Sequence, residues 1–177
     1  MSEYAVLMAV GEDKPGLVDI VSRYILECGC NIEDSRMAIL GGEFAMLILV
    51  TGAGHAVEQL FAGEQEVARR SGLSIQVKRT KSPGEAAKKE ALPYEVEAFS
   101  MDHPGIVQRI AAYLAERRIN IRALDTRLTN APITGLPLFS LHALVEIPTE
   151  QNVGEIRLGL ETLAGQQNID IHMRPAK

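Results

Sequence analysis

Asp13-Lys14-Pro15-Gly16-Leu17-Val18 returns later in the chain as Asp102-His103-Pro104-Gly105-Ile106-Val107, and Asn31-Ile32 returns as Asn120-Ile121. Both matches share one offset of 89 residues (105 − 16 and 120 − 31). Two separate matches at a single spacing indicate an internal duplication, and that decides how everything around them is read. A total of 177 residues suits either one large domain or two small ones, and the repeat selects the second.

Upstream of the first copy, Tyr4-Ala5-Val6-Leu7-Met8-Ala9-Val10 is an apolar run too short for an ordinary helix and closed by Gly11, which predicts a buried strand. Downstream the period changes. Leu17, Val21, Tyr24 and Cys28 fall at i, i+4, i+7 and i+11, with Val18 and Ile25 widening the stripe and Asp19, Arg23 and Glu27 opposite. That spacing predicts an amphipathic helix. Pro15 suits its first turn, where a missing N–H costs nothing, and Gly29 suits the left-handed turn that ends it.

A strand over Asn31–Leu40 is joined by Gly41-Gly42 to another over Glu43–Thr51, a two-residue connection typical of hairpins. A second helix follows on Val57, Leu60, Phe61, Glu64, Val67 and Ala68, interrupted by Gly63. An interior glycine costs about 1 kcal/mol against alanine. Leu73, Ile75 and Val77 then alternate with polar residues as a last strand. The order is βαββαβ.

The second half repeats this plan: strands Tyr94–Met101, Asn120–Thr129, Leu138–Ile147 and Ile169–Met173, with helices Gly105–Arg117 and Asn152–Gln167. Val153, Ile156, Leu160 and Leu163 mark the last helix at i, i+3, i+7 and i+10. The expected organisation is a first domain at 1–81, a polar, Pro-punctuated linker at 82–92 and a second domain at 93–177. Two departures from strict repetition stand out. Arg118 occupies the place of Gly29, so either a non-glycine residue takes the helix-ending turn or this helix stops differently. The second hairpin also lengthens to Asn130-Ala131-Pro132-Ile133-Thr134-Gly135-Leu136-Pro137, a surface loop of the kind that meets partners.

Composition narrows the function classes. Hydrophobic residues make up 46% and charged residues 23%, enough for packed cores. The net charge is −5 with Lys and Arg scattered, which argues against direct nucleic-acid binding. No apolar run approaches the ~20 residues that span a bilayer, and the start lacks a signal-peptide pattern, so a cytoplasmic location is expected. Cys28 and Cys30, two apart, fit neither a disulfide framework nor a CxxC site and read as small buried side chains, with a redox-sensing thiol as the alternative. His55, His142 and His172 have no metal-ligand spacing, so no metal and no cofactor is expected. GxSxG, P-loop, HExxH and GxGxxG patterns are absent, and no nucleophile has an obvious base.

The repeated segment places a helix N-terminus, with its unpaired N–H groups, where an anion such as a carboxylate is favoured. Gly16 and Gly105 permit close approach to that backbone, while Asp13, Asp102, Asn31 and Asn120 offer partners for the charged ends of an amino acid. The competing reading is structural: Asp before Pro-Gly is a good helix cap worth about 1 kcal/mol, and Asn is a common turn residue. His103, in place of Lys14, either binds ligand or sits exposed in a loop.

Asp-Lys-Pro-Gly-Leu-Val with Asn-Ile fifteen residues past the glycine (31 − 16; 120 − 105) resembles the ACT domain signature, in both halves. The whole chain is similar to the glycine cleavage system transcriptional repressor family, notably along Asn31–Gly41 and Glu43-Phe44-Ala45-Met46. The resemblance implies an α+β chain of two ferredoxin-like βαββαβ domains in tandem, association of ACT units into a homo-oligomer, and amino-acid binding between units. The ligand residues it implies are Asp13 with Asn31 and Asp102 with Asn120, beside Lys14, Gly16, Leu17, His103, Gly105 and Ile106 of the two turns. An Asp stands where some ACT domains have Asn, which removes a donor.

The family's implied role is repression of the glycine cleavage operon through a LysR-type activator, relieved by glycine, with no enzymatic activity. The absence of a helix-turn-helix or basic face agrees with action through a protein partner. The alternatives are an ACT-type regulatory subunit of an amino-acid biosynthetic enzyme, an RNA-binding domain of the same element order, and a small enzyme. The strands lack the stacking aromatics that single-stranded RNA binding uses.

Overall fold

In the computed structural model, which describes residues 2–86, 90–131 and 135–176, the chain divides into two compact units, Met1–Lys88 and Lys89–Lys177. The first contains β1 (Ser2–Glu12), α1 (Leu17–Glu27), β2 (Asn31–Leu40), β3 (Glu43–Ala53), α2 (Gly54–Ala62), α3 (Glu64–Ser71), β4 (Ser74–Thr80) and a short α4 (Pro83–Ala86). The second contains β5 (Ala91–Met101), α5 (Ile106–Glu116), β6 (Asn120–Asn130), β7 (Pro137–Pro148), α6 (Val153–Gln167) and β8 (Asp170–Pro175). Each unit holds one antiparallel sheet, in the orders β2-β3-β1-β4 and β6-β7-β5-β8. This is the ferredoxin-like βαββαβ plan, twice.

The segment read as linker is partly structured, since α4 starts at Pro83 and β5 at Ala91; residues 87–89 of it lie outside the described residues. In the longer second hairpin, residues 132–134 likewise lie outside them. Gly41-Gly42 makes the tight first turn, with φ of 62° and 88°.

Strand alternation sets the layers. In the first unit Leu7, Phe44, Ile48 and Val50 point to the helices and are fully buried, together with Val21, Ile25 and Leu60 from those helices. The second unit builds a separate core on Val96, Leu141 and Ile147 with Ile110, Leu114 and Leu160. The expected stripe on α1 holds at Leu17, Val21, Tyr24 and Ile25. Val18 departs from it, lying 41% exposed at the helix edge. Cys28 and Cys30 are free and buried, and burial pushes both thiols up, away from the reactive thiolate.

A tyrosine lock joins the two helices of each unit. Tyr24 of α1 donates its hydroxyl to Leu60 O at 2.6 Å, and Tyr113 of α5, 89 residues later, donates to Ile156 O at 2.9 Å. Each ring lies on a glycine: a Cβ at Gly63 would stand 2.7 Å from Tyr24 Oη, and one at Gly159 only 2.0 Å from Tyr113 Oη. Gly63 therefore does more than interrupt a helical pattern. It divides the expected single helix into α2 and α3 and gives Tyr24 its seat.

Arg118 takes the left-handed turn after α5, at φ 54°, where Gly29 (φ 76°) ends α1. A Cβ is disfavoured there by roughly 1–2 kcal/mol, partly offset by the greater unfolded-state freedom of glycine. Arg118→Gly is therefore expected to stabilise the second unit by about 0.5–1 kcal/mol, read as a raised midpoint in urea unfolding. A lowered midpoint would show that the arginine side chain contributes more than its backbone costs.

Candidate functional site

Both Pro-Gly turns lie past the carboxyl end of a central strand, β1 or β5, and lead directly into α1 or α5. Gly16 adopts φ 93°, ψ −3° and Gly105 φ 96°, ψ 0°, a left-handed conformation that strains any residue with a Cβ. Nothing lies within 4 Å of where a Gly16 Cβ would stand, so glycine is required by the backbone and not by crowding. Each glycine caps its helix, so Pro15 lies just before α1 and not in its first turn as expected, and neither helix receives a side-chain cap.

Asp13 and Asp102 thus do not act as helix caps. Their own N–H groups close the adjacent hairpins, Asp13 donating to Gly42 O at 3.0 Å and Asp102 to Pro137 O at 3.1 Å. Both residues are exposed beside the uncapped helix start. The first-turn N–H groups, which have no intrahelical acceptors, face outward with the positive end of the helix dipole. An incoming carboxylate would find donors there and an acidic neighbour able to take an ammonium group.

The other turn residues divide by role. Leu17 and Ile106 are 3% and 2% exposed, so their side chains anchor the helix start in the core and are not open to a ligand. Lys14 extends away from α1: a Cβ at Gly72 would lie 3.1 Å from its Nζ. Gly72 ends α3, whose C-terminal dipole favours a cation. His103 is half-buried rather than exposed; its Nδ1 lies 3.4 Å from Pro104 O, and its buried Nε2 has no partner among the described residues.

Arg109, not singled out from sequence, has its Nε 3.5 Å from the Cβ position of Gly105, so the second turn carries a guanidinium that the first lacks. Ile20 stands 89 residues earlier. A charge at i+4 from the helix-capping glycine was the signal available.

Asn31 and Asn120 lie elsewhere. Asn31 pairs with Thr51, which pairs with Tyr4 near the start of β1, whereas the Pro-Gly turn follows Glu12 at its end. Eight residues of strand separate those rows, about 27 Å. Within a unit the turn and the carboxamide cannot touch one small molecule. The second unit repeats the placement, with Asn120 opposite Glu146. There the carboxamide is engaged, Nδ2 donating to Glu146 Oε2 at 3.0 Å, while Asn31 is exposed without a side-chain hydrogen bond among the described residues.

Asn31 and Asn120 also open the edge strands. β2 and β6 each border their sheet on one side, and nearly all their residues are exposed, including Met37, Ile39, Leu40 and Leu128. Each strand carries a bulge at its third residue, between Ile32 and Asp34 and between Ile121 and Ala123. Such an open, apolar edge is a template for another strand.

Comparison with known proteins follows this geometry. Residues 3–78 match the family model of the ACT domain. The chain is similar to the glycine cleavage system transcriptional repressor of Escherichia coli (strain K12), at 27% identity over 165 residues, 93% of this chain and 86% of that protein. Among solved structures, a protein of unknown function from Galdieria sulphuraria superposes with a TM-score of 0.82 at 27% identity, over 100% of both chains. A structure described as a glycine cleavage system transcriptional repressor superposes with a TM-score of 0.72 at 23% identity, covering 100% of this chain and 99% of that one, which bears on the fold.

Proposed function

We propose, from the premise that residues 3–78 are an ACT domain and that the second half folds on the same plan, that the protein senses an amino acid and regulates transcription of the glycine cleavage system. Glycine is the ligand we assign. The repressor relative from Escherichia coli supports this reading across 93% of the chain. The observation that carries it is the uncapped helix start behind a left-handed glycine at the same place in both units, a ready seat for a carboxylate.

The site is completed by a second copy of the chain. Antiparallel pairing of β2 with its counterpart sets the Asn31 end of one strand against the Leu40 end of the other, beside that copy's Pro-Gly turn. Asp13 and the N–H groups after Gly16 then come from one copy and the free Asn31 carboxamide from the other. Lys14 and Leu17 hold the turn. In the second unit the corresponding set is Asp102, His103, Gly105, Ile106 and Asn120, where Arg109 adds a cation for the carboxylate and Glu146 competes for Asn120. The first unit therefore binds more readily.

Ligand exerts control by binding the paired form better than the separated one. Couplings of roughly 1–3 kcal/mol are typical of such linkage. The target is a protein, assigned here to a LysR-type activator, because a net charge of −5 gives no footprint for DNA. The reading places the protein in the cytoplasm; no helix among the described residues is long and apolar enough to cross a membrane.

Thermal unfolding against a panel of amino acids tests this. Glycine at 100 times its dissociation constant is expected to add about 2.7 kcal/mol, with a matching rise in dimer mass by light scattering. Asn31→Ala should remove most of the response and Asn120→Ala a smaller part of it. A flat response to every amino acid, with both variants silent, would leave the chain without a sensing role.

A further inference from the structure

The outer face of the second sheet, away from the helices, carries a row of ionisable groups that the first sheet lacks. Register puts Asp125, His142, Glu97 and His172 side by side on β6, β7, β5 and β8. At the same row in the first unit stand Arg36, Leu47, Met8 and Gln76. The duplicated fold thus serves as an internal control: nothing in the βαββαβ plan calls for histidine and carboxylate at this place.

Glu95, Glu97 and His142 each present a ligand atom, and all three atoms lie within 4.8 Å of one another. His142 Nε2 is 3.8 Å from Glu97 Oε1. The register sets His172 against Glu97 from the opposite side, its ring now 3.4 Å from Asp170 Oδ1. An open depression beside the cluster is lined by Glu97, Asp125 and His142, so an ion has access from solvent.

We infer that this face is a binding site for a divalent transition ion of the zinc class, held by Glu97, His142 and Glu95, with His172 as a fourth donor. One or two imidazoles with carboxylates suit zinc, cobalt, nickel or copper, and do not suit magnesium, which prefers an all-oxygen octahedron. Donors around a tetrahedral ion stand about 3.3 Å apart at metal–ligand distances near 2.0–2.1 Å. His142 and His172 are 48% and 64% exposed, so both rings have room to turn toward an ion between them. The sequence hides the site because its donors come from three strands, β5, β7 and β8, that only register brings together.

Arg174 is the competitor. Its Nε donates to Glu95 Oε2 at 2.7 Å and its Nη2 to Glu97 Oε1 at 3.0 Å, supplying the positive charge that the carboxylates need in the metal-free protein. Its side chain is 62% exposed while the carboxylates it bridges are 24% and 25% exposed, so the guanidinium is the accessible and replaceable member of the cluster. A divalent ion displaces it.

The test is titration of the full chain with Zn2+ and Co2+ by calorimetry, with the Co2+ absorption spectrum reporting coordination geometry and Mg2+ as comparison. Expected are one tight ion per chain, a tetrahedral Co2+ spectrum and no competition from Mg2+. His142→Ala and Glu97→Gln should each weaken binding by at least about 10- to 100-fold, the loss seen for groups even one shell further out. Arg174→Gln should tighten it, an effect that no merely structural role of Arg174 produces. Metal-free unfolding curves of the variants confirm that they fold. Absence of binding, or binding indifferent to both His142→Ala and Glu97→Gln, overturns the assignment. None of these readouts uses glycine, so the amino-acid reading stands or falls separately.

Discussion

Gly159→Ala is expected to destabilise the second unit by about 2–3 kcal/mol, although the same change in an exposed helix interior normally stabilises by about 1 kcal/mol. The sign is the informative part. The new methyl would stand 2.0 Å from Tyr113 Oη, 2.7 Å from Cζ and 2.8 Å from Cε2. The ring cannot simply swing away, because its hydroxyl is bonded to Ile156 O at 2.9 Å and Arg117 stacks on its face, 3.7 Å from the ring centre.

Gly165→Ala, six residues further along α6, is the matched comparison. Nothing lies within 4 Å of its added Cβ, so it should gain the ordinary helix propensity of about 1 kcal/mol. Urea unfolding of the pair reads opposite shifts. Adding Tyr113→Phe to Gly159→Ala removes the nearest clashing atom, so the double variant should be less damaged than the two losses summed. If both glycine variants rose together, the tyrosine seat would have no energetic meaning.

The second large effect is Leu7→Ala, expected to cost the first unit about 2–5 kcal/mol. Leu7 is 0% exposed on the central strand β1, with neighbouring strands on both sides to hold the cavity open. The two units have separate cores, so a scanning calorimetry trace should show the first unit's transition falling while the second's midpoint stays. Val96, 89 residues later and equally buried, gives the reciprocal experiment with a smaller loss, since valine leaves a smaller void. A joint shift of both transitions would mean that the units unfold as one.

How much of this was readable in the residues varies by level. The strands and α1 follow from period and turn chemistry alone, and the duplicated Pro-Gly turn marks both helix starts to within two residues. Local patterns have a local cause there: Gly16 and Gly105 are fixed by backbone conformation, which the sequence carries at that position. Gly63 and Gly159 were different. Their reason is a tyrosine 39 and 46 residues away (63 − 24 and 159 − 113), and no window around the glycine contains it.

Asn31 shows a third case. Its separation from the Pro-Gly turn is implied by the element order itself, because α1 carries the chain back along the sheet before β2 runs parallel to β1. As partners for one amino acid, Asn31 and Asp13 cannot both come from the same unit; topology, applied one step further, already says so. The outer row of Asp125, His142, Glu97 and His172 was hidden for the same reason, since cross-strand neighbours are distant along the chain and only register makes them adjacent.

The duplication gives each molecule two sheet margins of one type, β2 and β6, on the side away from β4 and β8. If both are satisfied by the same neighbour, growth stops at a closed pair. If each takes a different neighbour, assembly runs on without end as a fibre. The residues along the two margins differ, with Met37 and Ile39 on one and Asp125 and Arg127 on the other, so the two edges are not interchangeable as pairing surfaces.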